Sequence, residues 1–488
     1  MFFCFLPHFS GWGYFFPYLF GMNRRKFIHQ SSLATAGVFF AAHQGFAQAN
    51  NFPTVRVEVA KRKFTSKAVE SLVVEISNKI GNKEIGWLFT NCFPNTLDTT
   101  VEFDVVGNKP DTYVITGDID AMWLRDSTAQ VWPYLPLCKQ DAALQRLVAG
   151  VINRQVKCIL LDPYANAFYK DVTMVSEWKN DLTTMKPGVH ERKWEIDSLC
   201  YPIRLSHGYW QATGDASIFD EQWLAAMRLI MKTFKEQQRF DSKGPYSFQR
   251  TTAWATDGVP LAGYGYPAKP NGLIHSMFRP SDDATIYPYL IPANFFAVSA
   301  LRNLADMLDR QYRLEALQLA TQIKNALDAN AIIKLKNGSR IYAYEVNGFG
   351  SFNLMDDANV PSLLSLPYLG AVPLADPVYQ NTRNYVLSGD NPFFYKGKAG
   401  EGIGGPHVGV DYIWPLSIIM RGLTSTSDKE IKACIDILQQ SHAGTGFMHE
   451  AFHKDDAANF TRKWFAWANT LFGEFIWKIF RERPHLLN

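Results

Sequence analysis

The sequence predicts an all-α fold: a toroid of helical hairpins, of the (α/α)6 barrel kind, with a few short strands in its loops. Two observations carry this. Segments with helical periodicity follow one another along nearly the whole chain from about Val55. Polar, glycine-rich or aromatic loops alternate with them, so paired helices are joined by long decorated connections. Such a barrel holds its site in the mouth, where those loops meet.

In chain order, residues 1–49 read as a leader. Arg24 and Arg25, then Phe27, open a mildly apolar run that ends in Ala47-Gln48-Ala49: a charged n-region, an h-region and an A-x-A cleavage site. The paired arginines resemble a twin-arginine export signal. The expectation is translation from Met22, a mature chain near Asn50 and a periplasmic destination. Residues 1–21 are apolar and aromatic, but Pro7, Pro17 and three glycines make them a poor spanning helix. An over-extended start codon explains them better than a membrane anchor, so no membrane association is expected after leader removal.

Residues 50–488 read as one domain, without a low-complexity linker or charge block. "SKAVESLVVEISNKI" starts on a serine cap and places Val69, Leu72, Val73 and Ile76 on one stripe. "DAALQRLVAGVINRQVKCILL" opens on Asp141 as cap. The same period recurs in "DEQWLAAMRLIMKTFKEQ", "ALQLATQIKNALDANA", "DKEIKACIDILQQSH" and "KWFAWANTLFGEFIWKIF". "LCYPIRLSHGYWQATG" and "PANFFAVSALRNLADML" are apolar all round. Strand-like pieces are few: "TTVEFDVV", "TYVIT" and "RIYAYEV".

Composition narrows the function class. Lys+Arg 49 against Asp+Glu 46 leaves a formal charge of +3, which points to no nucleic acid or polyanion as partner. Thirteen Trp and 21 Tyr, many beside Gly, Pro or Asp, suit sugar rings, although core packing claims part of them. Of six cysteines, Cys4 belongs to the leader. The remaining five are odd in number and lack a C-x-x-C pair, so neither a disulfide framework nor a thiolate zinc site is expected.

Several motifs bear chemistry. In "KWEIDSLCYPIRL", Glu195 and Asp197 enter an apolar segment beside Trp194. Desolvation there raises a carboxyl pKa and suits a general acid, although Asp197 could equally cap a helix beginning at Ser198. "TGDIDAMWLRDST" groups Asp118, Asp120, Arg125 and Asp126 around Trp123, a cluster that is costly to bury unless it binds a polyol or pairs internally. A calcium loop fits poorly, because the glycine and bidentate glutamate are missing. "FRPSDDA" supplies Arg279, Asp282 and Asp283. "MDDANVP" supplies Asp356, Asp357 and Asn359, with Pro361 placed for the first turn of a helix and capping as the alternative role of its polar residues. Finally, His449-Glu450-Ala451-Phe452-His453 is a literal H-E-x-x-H, which on a helix would bind zinc. Gly444, Gly446 and the following Lys454-Asp455-Asp456 argue against a long helix, Asn459 stands where a metzincin needs histidine, and Glu474 is the one distant glutamate ligand left.

Taken together, "TGDIDAMWLRDSTAQVWPY", "EIDSLCYP", "FRPSDDA", "MDDANVPSLL" and "MHEAF" resemble, in this order, glycoside hydrolase family 125, the exo-α-1,6-mannosidases. The resemblance implies an (α/α)6 barrel that removes terminal α-linked mannose from an oligosaccharide or N-glycan, with inversion and with neither metal nor other cofactor. It puts the general acid at Asp197 and the general base at Glu450. Its sugar-binding shell falls on Arg125, Asp126, Arg279, Asp282, Asp283, Asp356 and Asp357, with Asp120, Trp123 and His449 from the same motifs. A zinc peptidase using "HEAFH" and a non-catalytic glycan-binding barrel are the competing readings. The loops "AGYGYPAKPNG" and "EGIGGPH" are candidates for closing the pocket.

Overall fold

Helical hairpins alternate between an outer and an inner shell. The computed structural model describes residues 52–488, and the leader expected over residues 1–49 lies outside them. The outer entry consists of α1 (Lys67–Lys79), capped by Ser66, α2 (Lys83–Cys92), capped by Asn82, and the short α3 (Asn95–Thr99). A β-hairpin, β1 (Val101–Val106) with β2 (Lys109–Val114), leads to the first inner helix, α4 (Leu124–Val131), every residue of which is buried. Outer α5 (Ala142–Leu161) then returns to inner α6 (Ile196–Thr213), and outer α7 (Glu221–Gln237) to inner α8 (Ile291–Met307). After outer α9 (Arg310–Asn330) the inner position is taken by residues 361–370. Outer α10 (Pro377–Val386) precedes inner α11 (Pro415–Leu423), and outer α12 (Asp428–Ser441) precedes inner α13 (Ala466–Glu482). Neighbouring inner helices pack on one another, α11 against α13, α13 against α4, α4 against α6 and α6 against α8, and residues 360–370, bonded to side chains of α6, α8 and α13, complete a six-station ring. The apolar stripes read from the sequence are the faces that close it: Val69, Leu72, Val73 and Ile76 of α1 are all buried.

The fourth inner station differs from expectation. Pro361 does not start a helix: the Val360–Pro361 bond is cis, and turns run from Leu364 to Gly370. Ser362 and Ser365 satisfy each other's backbone amides, and Pro367 has no N–H to continue a ladder. Side chains from surrounding stations hold the segment instead. Tyr201 of α6 donates to Val360 O at 2.9 Å, Ser299 of α8 to Leu369 O at 3.2 Å and Tyr379 of α10 to Leu364 O at 2.9 Å, and Tyr368 reaches Glu474 of α13 at 2.9 Å.

Because outer and inner helices alternate, the inner helices all point the same way, with their N-termini at one mouth. The loops entering them carry most of the strands. β3 (Met122–Trp123), β4 (Ala167–Phe168) and β5 (Val189–Glu191) make one small sheet. β6 (Tyr289–Leu290) joins two later strands in a second, after the hairpin of β7 (Ile332–Lys334) with β8 (Arg340–Tyr342): β9 (Glu345–Val346) is its centre and β10 (Phe352–Asn353) its edge. β11 (Phe394–Lys396) pairs with β12 (Glu401–Ile403). β13 (Tyr412–Ile413), β14 (Ala451–His453) and β15 (Asp456–Thr461) form the last sheet. Five cysteines of the described residues are free and buried.

Candidate active site

The first turns of α4 and α6 bring the first cluster together. Arg125 lies one residue inside α4 and is buried. Its Nη1 donates to Glu195 Oε2 at 2.6 Å and reaches Asp197 Oδ2 at 3.3 Å, and its Nη2 donates to Asp282 Oδ1 at 2.9 Å. Helix α6 begins at Ile196, so Asp197 stands inside the first turn and does not cap it. It is 0% exposed, and its Oδ1 has no hydrogen-bond partner within the protein. Burial pushes its pKa up to about 6 against the pull of Arg125. Burial likewise pushes Asp126 up to about 6.

Asp282 enters from the "FRPSDDA" turn, which Arg279 N to Asp283 O at 2.7 Å and the Phe278–Ala284 bridge pinch into a tight hairpin. Asp282 itself is in the left-handed region, φ 67°. Strain of this kind on a non-glycine residue gathers at functional sites. From the same turn Arg279 donates to Glu345 Oε1 of β9 at 2.7 Å, lies over the Tyr344 ring and leaves its buried Nη2 unpartnered. Asp283 faces His407 at 3.5 Å, and Ser281 bridges Asp283 to Asp357. The loop following β12 packs against this group, because Gly405 leaves the space that a Cβ, 3.0 Å from Asp357 Oδ2, would take. Thus "EGIGGPH" does line the site. "AGYGYPAKPNG" packs on Phe248 and Asn347.

Glu450 approaches from the last station, just before β14. Its neighbour is Arg462, whose Nη1 lies 3.4 Å from Glu450 Oε1. Arg462 is held by Asp118 Oδ1 at 2.5 Å and Thr116 Oγ1 at 2.8 Å. Gly117 makes that contact possible: a Cβ there would sit 2.3 Å from Trp464 O. Asp197 and Glu450 therefore come from the second and sixth stations. They flank the first, where Asp126 feels both Arg125 and Arg462. His407 feels Asp283, Asp282 and Glu450.

Two expected sugar-binding residues, Asp356 and His449, are engaged within the protein. Asp356 accepts the amides of Leu363 and Leu364 at 2.7 and 3.0 Å, so it caps the turn segment, and burial pushes its pKa up to about 8. Asp120 is exposed on the loop before β3. His449 is 1% exposed, stacks on Phe460 at 3.7 Å and hydrogen-bonds Thr445 Oγ1 at 2.9 Å. Burial lowers its pKa to about 3. Trp123 is buried, edge-on to His190. The "HEAFH" motif is not helical: Ala451–His453 is strand, so four residues no longer return to the same face and the two imidazoles lack the zincin arrangement. Among the described residues no three His, Cys, Asp or Glu side chains are grouped to hold a metal. Sequence reasoning missed Arg462, His407 and Glu345. Arg462 beside Lys463 reads as solvated charge, and only its place just before the last helix hinted otherwise.

Behind the site, Lys193 Nζ joins Asp257 at 2.7 Å to the backbone oxygen of Asp282 at 2.9 Å, and Arg250 ties Asp257 to Asp181 and Glu191. A small separate cavity on the barrel axis lies beyond Tyr201, lined by Thr128, Tyr201, Arg204, Tyr368, Met420 and Trp467, and none of the site carboxyls reaches it.

A family model described as metal-independent α-mannosidase (GH125) matches residues 82–477. The "Meiotically up-regulated gene 157 protein" of Schizosaccharomyces pombe is 43% identical over 457 residues, covering 89% of this chain and 90% of that protein. A solved structure of a metal-independent α-mannosidase from Streptococcus pneumoniae, in a non-productive complex with α-1,6-mannobiose, is 39% identical. Its TM-score is 0.83, with 86% of this chain and 100% of that one covered.

Proposed function

The chain belongs to the GH125 family of metal-independent α-mannosidases, and on that premise we propose that it is an exo-acting, inverting enzyme that releases terminal α-1,6-linked mannose from glycans. The observation that carries this reading is the contrast between two buried carboxyls flanking the first station. Asp197 is a carboxyl that burial keeps protonated up to about pH 6. Glu450 stands beside a fixed cation, Arg462. One is suited to give a proton and the other to take one.

In this mechanism Asp197 delivers its proton to the glycosidic oxygen as the bond from that oxygen to the anomeric carbon breaks. Glu450 takes a proton from a water whose oxygen attacks the anomeric carbon from the opposite face. The products are β-mannose and the free hydroxyl of the remaining glycan, and exchange with solvent resets both carboxyls. Arg279, Asp283 and Asp357 bind the sugar hydroxyls. The loop through Gly405 and His407 walls the pocket, in keeping with removal of one terminal residue. The α-1,6 preference is supported by the mannobiose bound to the pneumococcal relative.

Proton NMR during hydrolysis of α-1,6-, α-1,3- and α-1,2-mannobiose tests the proposal. Fastest turnover of the α-1,6 isomer, with β-mannose appearing first, is expected. Initial α-mannose would reject inversion, and preference for another isomer would reject the linkage. Export to the periplasm through the Arg24-Arg25 signal is part of the same proposal. Arg24→Lys with Arg25→Lys should retain the protein in the cytoplasm, and unchanged export of that variant would reject the signal.

A further inference from the structure

Glu195 is fully buried at the entrance to α6, yet its side chain caps nothing there. Its Oε2 accepts from Arg125 Nη1 at 2.6 Å and from Ser198 Oγ at 2.8 Å. Its Oε1 is buried and meets no protein donor, while the carboxyl of Asp282 lies within hydrogen-bonding reach. Two ionised carboxylates are not stable in contact away from water. A single proton on Glu195, shared with the Asp282 carboxyl, relieves that contact. Asp282 is the better place for the negative charge, since it accepts from Arg125 Nη2 at 2.9 Å and also has a second cation beside it, Lys193, whose Nζ donates to its backbone oxygen at 2.9 Å.

We propose that Glu195 is a positioning residue kept as the neutral carboxylic acid, which bridges Arg125 to Asp282 and so holds the guanidinium off the proton-donating Asp197. The inference rests on the role given to Asp197 above. Arg125 Nη1 has two acceptors to choose from, and it sits at 2.6 Å from Glu195 and 3.3 Å from Asp197. Turned fully to Asp197, it would hold that carboxyl ionised, with nothing to donate. The charged and titratable groups facing Asp197 are Arg125 from α4, Asp282 from the hairpin, and Glu195, Cys200 and Tyr201 from its own segment. Burial raises Glu195 well above the usual carboxyl range. Against the cost of its own burial, Arg125 and Lys193 hold Asp282 well below it, which agrees with a single proton resting on Glu195.

Two variants of the full mature chain test this. Glu195→Gln keeps the neutral shape: its amide donates to Asp282 and its oxygen accepts from Arg125. Glu195→Leu keeps bulk but removes both bonds. On α-1,6-mannobiose, kcat/KM falls as pH rises through the pKa of the acid. That limb should stay at its wild-type position in Glu195→Gln, whatever the change in kcat. In Glu195→Leu it should move to lower pH by roughly one unit or more, as Arg125 turns to Asp197. A residue that merely fills space would leave the limb in place in both. Independently of catalysis, the infrared difference spectrum of wild type minus Glu195→Gln near neutral pH should contain the C=O stretch of a protonated carboxyl, shifted in D2O. Absence of that band, or an equal shift of the limb in both variants, overturns the proposal. Full turnover of mannobiose by Asp197→Asn would instead reject the role of Asp197, and would leave the infrared band intact.

Discussion

Arg462 Nη1 stands 3.4 Å from Glu450 Oε1 while its other nitrogens are bound to Asp118 and Thr116. The cation is thus fixed before substrate arrives, and Glu450 has an oriented neighbour in it. Glu450→Ala removes the proposed base but leaves the proposed acid. Turnover should fall by roughly 10²–10⁴-fold. Azide, a nucleophile that needs no deprotonation, should restore part of it and yield β-mannosyl azide from α-mannosyl fluoride. Recovery of the α-azide would point to a second displacement and reject Glu450 as a base for water.

Asp197→Asn keeps the shape and hydrogen-bond reach of the proposed acid but has no transferable proton. Hydrolysis of α-1,6-mannobiose should drop by roughly 10²–10⁴-fold. Aryl α-mannosides with good leaving groups should lose far less, since their oxygen needs little protonation. Equal losses on the two substrates would place the acid elsewhere.

The pH dependence has a definite sign. Burial raises Asp126 and Asp197 from an ordinary 3.8 to about 6. In each the neutral form is favoured by folding, so the unfolded chain holds fewer protons above pH 3.8. Stability from this source is complete below 3.8 and declines as pH rises through about 6. Thermal melts between pH 4 and 8 should show Asp126→Asn losing less Tm on the alkaline side than wild type. A parallel fall in both proteins would reject the assignment.

His453 lies on β14 and is partly exposed, and among the described residues no group of His, Cys, Asp or Glu that could hold a metal includes it. His453→Ala should retain mannosidase activity, and prolonged EDTA treatment should leave the wild type unchanged. Activity lost to the chelator and recovered with zinc would revive the peptidase-like reading of "HEAFH".

Asp356 accepts two buried amides, so Asp356→Ala strands both. The expected cost is about 2–4 kcal/mol of unfolding free energy, read by denaturant titration, with mannose affinity reduced indirectly. A variant as stable as wild type but unable to bind mannose would return Asp356 to the sugar shell.

Long helices were legible because their caps and stripes are local. Ser66, Asp141 and Asp220 cap the helices that their sequences announce. Arg125, Asp282 and Asp197 were legible as candidate residues for a related reason: charged groups stood in otherwise apolar motifs. Most of the mouth strands were not, since two or three residues are too few to show a period, although "RIYAYEV" marked β8 and β9. Helices α10 and α11 are short as well, and each opens on a proline. Asp356 and Asp357 look alike in sequence. Only the fold separates them, sending one to the amides of Leu363 and Leu364 and the other to Ser281 and Asn359.

The fourth inner station closes the ring without a continuous backbone ladder. Its stiffness is therefore borrowed from side chains rooted in other hairpins, Tyr379 of the outer shell among them. Tyr379→Phe would cut one such tether and touch no sugar, yet Leu364, which it holds, is also bound to Asp356, next in sequence to Asp357. Hydrogen exchange at Leu363 and Leu364 would report the loosening directly. A substitution hidden behind the barrel wall can thus reach the enzyme's grip on mannose, and drift in this family's outer helices is not automatically silent.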